Sequence, residues 1–430
     1  MLRRRKFLLG DTVFKFAHIA DCHIGAFNDQ ILRELSLNAF KKTMDICVQE
    51  KVNFVLITGD LFHSNIPDLL LANEAVKIMK KVKDKGIPIY VIYGSHDYSI
   101  NETSLIDLLE SAGLIKKIVK GKTNENQLDL DFLIDPKTKA KLTGLSGRKR
   151  SLEKEYFKIL NRELLEKEAG FKIFAFHIVI DEIKPGNIAP MEAVPISYFP
   201  SNFDYYAGGH LHKNIIEELP NYKNIVYPGT IFAGYPRDLE DSANGLKRGF
   251  CIVKFDKKVE EIIFHEIELC DYLYKEYDLT NKNSLQAQSE LTEELDKLNV
   301  ENKIVLIKIK GELSGGKPSD ISSVEIKKIL QKNGAKLVNI NRYSLTSKEF
   351  TTIKVMGDDI QTIENKLLME NLGTIKVTNS VLKGKQGLQL AEELLKILKQ
   401  EQKSNERNDD YNRRVLDQAQ KLLKIEEEGK

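Results

Sequence analysis

Apolar residues in the first hundred positions keep two alternating rhythms. The run "VFKFAHIA" is strand-like and stops at Asp21. Leu37, Phe40, Met44 and Cys47 then recur at three-to-four spacing, one stripe of an amphipathic helix. "FVLIT" is a continuous apolar run that closes at Gly59-Asp60 and predicts a buried strand. Leu69, Ala72, Val76, Met79 and Val82 form a second helical stripe, ended by Gly86-Ile87-Pro88. A β-branched and aromatic run, "IPIYVIY", then delivers the chain to Gly94-Ser95-His96-Asp97. This β-α-β-α-β order predicts an α/β layered domain with a largely parallel central sheet.

From about Asn126 the rhythm loosens. A basic loop, "KTKAKLTGLSGRKR", precedes a charged helix over about 152–169. "FKIFAF" then ends at His177, and "FDYYA" ends at Gly208-Gly209-His210. Strand-like runs "IVYPG", "GFCIVKF" and "EIIFHEIEL" close this region near residue 270. Composition shifts at "EYDLTNKNS", and a polar helix, "KIVLIKIKGEL", "ISSVEIKKILQKN" and strands around Leu337 and Ile375 follow. The expected division is 1–280, a small α+β domain over 281–382, and a charged helical tail over 383–430. In the tail, Leu388, Ala391, Leu395 and Leu398 make one stripe, and Tyr411, Val415, Ala419 and Leu422 another. Two short amphipathic helices need their own chain or a partner groove to bury such faces.

Composition narrows the classes. With 430 residues, two or three domains are expected. Charged residues make up 30% of the chain, yet the net charge is only +2, so any nucleic-acid surface would be a local basic patch. Lys137, Lys139, Lys141, Arg148, Lys149 and Arg150 are the candidates, with a solvated loop as the equal alternative. Cys22, Cys47, Cys251 and Cys270 are scattered without a CxxC pair. That excludes a disulfide framework or thiolate zinc site as the expectation and fits a reducing, cytoplasmic setting. No apolar run reaches membrane-spanning length, and "MLRRRKFLLGDTV" reads as a basic leader to the first strand, so no membrane partner is expected.

The chemistry lies in where the histidines fall. Seven of the eight lie within the first 212 residues. Asp21-Cys22-His23, Gly59-Asp60, His63, His96-Asp97, His177 and His210-Leu211-His212 each sit at or just past a predicted strand end. Open α/β sheets gather ligands at that edge. Imidazoles and carboxylates without thiolates favour Mn, Fe or Zn, with candidates enough for two ions sharing a carboxylate. Two ions about 3.5–4 Å apart suit a phosphodiester displacement. His18 reads as a packed histidine, Cys22 as a neutral spacer, and His265 lies outside the pattern.

"DCHIG", "GDLFH", "GSHD", "FH" and "GGHLH", in this order, resemble the calcineurin-like metallophosphoesterases. "FAHIADCHIG", "FVLITGDLFH" and "YPGT" resemble more narrowly the SbcD/Mre-type DNA double-strand-break repair nucleases, archaeal-like, over about 14–270. The resemblance implies two facing mixed sheets flanked by helices, a DNA-positioning cap and a helical tail. It implies two divalent ions, most readily Mn2+. Asp21, His23 and His212 would hold one, His177 and His210 the other, with Asp60 bridging. His96, supported by Asp97, would face the scissile phosphate, and His63 would orient it. Ser95 stands where the family carries an Asn ligand, so the second ion is expected to be held more loosely, directly or through water. The implied activity is 3′ to 5′ exonuclease cutting of duplex DNA and endonuclease cutting of single strands. The implied partners are DNA ends, an SMC-like ABC-type coiled-coil ATPase bound by the C-terminal helices, and a second copy of the chain. The competing readings are a small-nucleotide phosphodiesterase and a catalytically weak scaffold that recruits the ATPase to ends.

Overall fold

The computed structural model describes residues 13–98, 103–124, 127–148, 152–184, 192–348, 368, 384–400, 402 and 408–423. The basic leader over 1–12, Lys149, Arg150 and the strand expected near Ile375 lie outside them. Strand β1 (Phe14–Ile19) leads to helix α1 (Gln30–Gln49), β2 (Phe54–Thr58), α2 (Leu69–Asp84), β3 (Ile89–Ile92) and α3 (Leu105–Ser111). Asp29 caps α1 by accepting from the backbone N–H groups of Ile31 and Leu32, and Asp68 caps α2 in the same way. The buried face of α1 carries Leu35, Phe40, Met44 and Cys47.

Two six-stranded sheets form the body. In the first, β1, β2 and β3 run parallel, with Ile19 beside Ile57 and Thr58 beside Ile92. Gly249–Phe255 pairs antiparallel on the far side of β1. In the second sheet Lys141–Leu145, Lys172–His177 and Tyr205–Gly209 run parallel, with Gly209 beside His177. One apolar cluster takes Phe16, Phe54 and Tyr90 from the first sheet and Ile173, Tyr205 and Val226 from the second, so the sheets face one another. A second cluster on the other face of the second sheet joins Phe174 and Phe176 to Phe157 and Phe199. His18 lies between the sheets, its ring nitrogens 2.9 Å from Tyr205 Oη and 3.0 Å from Thr58 Oγ1, and burial lowers it to about 3.

The structure departs from the sequence pattern at two places in this region. The "basic loop" contains a strand, Lys141–Leu145, interior to the second sheet. Its Lys141 pairs with Glu168, while Arg148 stacks on Tyr98 and Tyr156. Lysine content hid a strand whose Leu142, Thr143, Gly144 and Leu145 are buried. The charged helix is two short ones, Glu153–Lys158 and Arg162–Glu166, because Asn161 caps the second.

The chain divides into two compact units, 1–274 with 302–306, and 275–301 with 307–430. In the second unit, helices Ser284–Asp296 and Ser323–Lys332 bury Ala287, Leu291, Leu295, Ile326 and Leu330. A three-stranded sheet has the order Tyr272–Asp278, Ile304–Leu313, Leu337–Ser347. Helices Gly384–Leu398 and Asn408–Leu423 meet through Tyr411, whose hydroxyl donates to the Gln400 carbonyl at 2.9 Å. None of the helices among the described residues is long and apolar enough to cross a membrane.

Candidate metal centre

Parallel pairing brings the strand ends to one edge. Asp21 N–H donates to the Gly59 carbonyl at 3.1 Å, and His23 N–H to the Asp60 carbonyl at 2.9 Å. The backbone there is held in costly conformations. Asp21 (φ 50°), His23 (φ 45°), Asp60 (φ 50°) and His210 (φ 84°) all occupy the left-handed region. Such conformations cost on the order of 1–3 kcal/mol each and cluster at functional sites. Gly94 permits the close approach, because a Cβ there would lie 2.1 Å from Asp60 Oδ1.

Among the described residues three groups of ligand atoms converge: Asp21 with His23 and His212, Asp21 with Asp60 and His177, and His23 with His63 and His96. Asp60 Oδ2 lies 3.2 Å from His177 Nε2 and 3.7 Å from His23 Nε2, touching both groups that contain Asp21. His23 Nε2 and His212 Nε2 face each other at 3.0 Å. His210 is placed differently. Its N–H donates to Asp21 at 3.0 Å, and its ring centroid is 5.1 Å from that of His177, but it belongs to none of the three groups.

The His177 imidazole supplies the test of fit. Its Nδ1 donates to the Thr58 carbonyl at 2.8 Å, so in the neutral ring Nε2 carries the lone pair. That Nε2 is buried without a hydrogen-bond partner, and it faces a carboxylate oxygen. Two acceptors at that separation require a cation between them, a proton or a metal ion. Burial opposes charge on His177, but Asp60 and Asp21 outweigh it and lift the ring to about 10. Burial would likewise raise Asp60, yet His177 and His23 hold it far below the usual carboxylate range. Burial lifts Asp21 to about 6 against the pull of His177 and His212. Four candidate ligands from this set, Asp21, His23, Asp60 and His177, are almost wholly buried. A buried cluster of oxygen and imidazole donors is costly unless cations compensate it, and the set fits a dinuclear divalent centre.

The remaining candidates surround it. His96 Nδ1 donates to the His63 carbonyl at 2.9 Å, and the His63 ring stacks on His96 with centroids 4.5 Å apart. His63 Nδ1 lies 3.2 Å from His23 Nδ1. The expectation that Asp97 supports His96 is corrected: no hydrogen bond joins the two side chains, and the His63 carbonyl holds His96. The Asp97 carboxylate instead accepts backbone N–H groups from Leu61 (3.1 Å), Phe62 (3.0 Å) and Gly94 (3.2 Å), bracing both loops. Burial, with Asp60 nearby, raises Asp97 to about 7. Ser95 Oγ lies 3.5 Å from Asp60 Oδ2, at the limit of a hydrogen bond.

Two residues at the site escaped the sequence reading. Asp238 accepts from His212 Nδ1 at 2.8 Å and from Gly234 and Tyr235 N–H groups. Burial opposes its charge, but His212 and Arg248 hold it at about 2. It therefore turns His212 Nε2 towards His23 and the cluster, the orientation a carboxylate imposes on a metal-binding histidine. Tyr235 donates its hydroxyl to His96 Nε2 at 2.8 Å. Their signal was "YPRD", with Pro at the start and Asp in the first turn of helix Pro236–Ala243.

Residues 14–214 match the family model described as calcineurin-like phosphoesterase. The chain is 28% identical over 260 residues to the DNA double-strand break repair protein Mre11 of Archaeoglobus fulgidus, covering 56% of this chain and 57% of that one. To the protein of that name from Methanopyrus kandleri it is 27% identical over 262 residues, covering 59% of this chain and 57% of the relative. The chain thus spans 57% of the length of these two relatives. To the Sulfurisphaera tokodaii protein it is 27% identical over 363 residues, covering 81% of this chain and 85% of the relative.

Proposed function

With residues 14–214 forming a calcineurin-like phosphoesterase domain, we propose that the chain hydrolyses phosphodiester bonds of DNA in double-strand-break repair. The observation that carries this is the bare His177 Nε2 facing Asp60 inside a cluster shared with Asp21, His23 and His212. Relatives named for double-strand-break repair supply the substrate class. Asp21, His23 and His212 would hold one ion and Asp60, His177 and His210 the second, with Mn2+ as the proposed metal. Bound ions supply charge neutralisation at a phosphate oxygen and a nucleophile at neutral pH. This chain's own part is positional. Asp238 and the Thr58 carbonyl fix the tautomers of His212 and His177. His96, held by the His63 carbonyl, is the group placed to meet the scissile phosphate, and the His63 ring stacks on it. The weak contact made by Ser95 supports a looser second ion and a higher metal requirement.

The reading extends to exonuclease cutting of duplex ends, 3′ to 5′, and endonuclease cutting of single strands. Residues 281–382 would position the DNA, and the tail over 383–430 would bind an SMC-like ATPase. A homodimer is proposed through the region of α2, where Ile66, Leu69 and Leu70 are exposed. The test is end-labelled DNA incubated with Mn2+. The parent should cut and His96→Ala should keep only a small residual turnover, while circular dichroism shows both folded. Intact DNA at millimolar Mn2+ with the parent overturns the proposal.

A further inference from the structure

Tyr235 sits among four of the converged imidazoles. Its ring centroid is 5.7 Å from those of His23 and His63, 6.2 Å from His96 and 5.5 Å from His212, nearly parallel to the last at 20°. Because His96 Nδ1 donates to the His63 carbonyl, the neutral ring offers Nε2 as an acceptor, and the Tyr235 hydroxyl occupies it at 2.8 Å. The tyrosine's own backbone is fixed as well. Its N–H donates to Asp238, the carboxylate that holds His212. His96 follows β3 of the first sheet, and His212 follows Tyr205–Gly209 of the second. One side chain therefore spans the residues that the two sheets deliver. Tyr235 is 43% exposed, so it forms the rim of the site, and its hydroxyl is spent on the His96 imidazole.

We propose that Tyr235 is a positioning residue for phosphodiester cleavage, fixing the Nε2 edge of His96 relative to His212 at the mouth of the metal centre. This rests on the phosphodiesterase reading above. It acts through His96, so its removal should affect turnover and leave ion binding alone.

The experiment uses the full chain with Mn2+, end-labelled duplex DNA and bis(p-nitrophenyl) phosphate. Tyr235→Phe keeps the stacked ring and deletes one hydrogen bond. It should lower kcat roughly tenfold, with KM and the calorimetric Mn2+ stoichiometry unchanged. In a His96→Ala background the same change should have no further effect on residual turnover, the signature of action through His96. Tyr235→Ala should cost more, through loss of the ring as well. In metal-free protein carrying 15N-labelled histidine, Tyr235→Phe should move the His96 Nε2 resonance and leave that of His177 in place. Equal losses with and without His96, or an unmoved His96 resonance, would overturn the assignment. If the parent cleaves neither substrate, the functional reading falls, and the histidine spectrum still decides whether Tyr235 holds His96.

Discussion

Asp238 shows how a single carboxylate sets the chemistry of a neighbour. By accepting from His212 Nδ1 it directs the other nitrogen at His23. Asp238→Asn can present its amide NH2 to that nitrogen and so favour the wrong tautomer. Mn2+ affinity should fall about 10–100-fold, measured by titration calorimetry, and Tm should fall as well, because Asp238 also accepts from the Gly234 and Tyr235 N–H groups and faces Arg248. Ser95 offers the opposite experiment. Ser95→Asn brings an amide oxygen closer to the Asp60 side, so the Mn2+ concentration giving half-maximal cleavage should drop severalfold. An unchanged requirement would show that position 95 does not contact the second ion. The acids and imidazoles themselves were legible in the sequence, because a ligand must be His, Asp or an equivalent. Asp238 and Tyr235 were not, since any polar residue at the right distance can orient a histidine, and distance is not written along the chain.

Among the elements, α3 depends most visibly on charge. Ser104 and Asp107 form a capping box, and Asp107 also takes Lys117 Nζ at 2.7 Å and the Tyr93 hydroxyl. Burial works against the charged Asp107, but its bonds to Lys117, Tyr93 and Ser104 prevail and bring it down to about 2. The sign follows from linkage. A lowered carboxylate contributes stability in full above its unfolded value of 3.8 and loses it as pH falls towards 2. Asp107→Asn should therefore lower Tm at pH 5 to 7, and the gap to the parent should close as pH approaches 2. Differential scanning calorimetry across that range checks it. The helices α1 and α2 were readable because their apolar stripes match the helical period, with Asp29 and Asp68 as caps. Lys141–Leu145 was not, because Lys141 lies at a strand end among flanking lysines and its pairing partner is a distant segment.

At the scale of the molecule, the two sheets bring residues far apart in the chain into one cluster, Asp21 with His212 among them. The second unit carries the helix pair Gly384–Leu398 and Asn408–Leu423, which leaves Leu398 and Leu416 exposed. Deleting 384–430 should keep DNA cleavage and abolish co-purification with an SMC-like ATPase. Undiminished co-purification would place that partner elsewhere. The sequence by itself determined the residue types at each strand end, since alternation and apolar runs mark strands, and turns after them expose the polar residues that follow. It also determined the metal-ligand class, because donor chemistry belongs to side chains. Only the tertiary structure decided which nitrogen of His177 and of His212 faces the cluster, that Asp97 braces loops while the His63 carbonyl holds His96, and that Tyr235 bonds to His96 and stacks on His212. Those outcomes depend on hydrogen-bond geometry between segments brought together by packing, and distances of that kind exist only once the chain has folded.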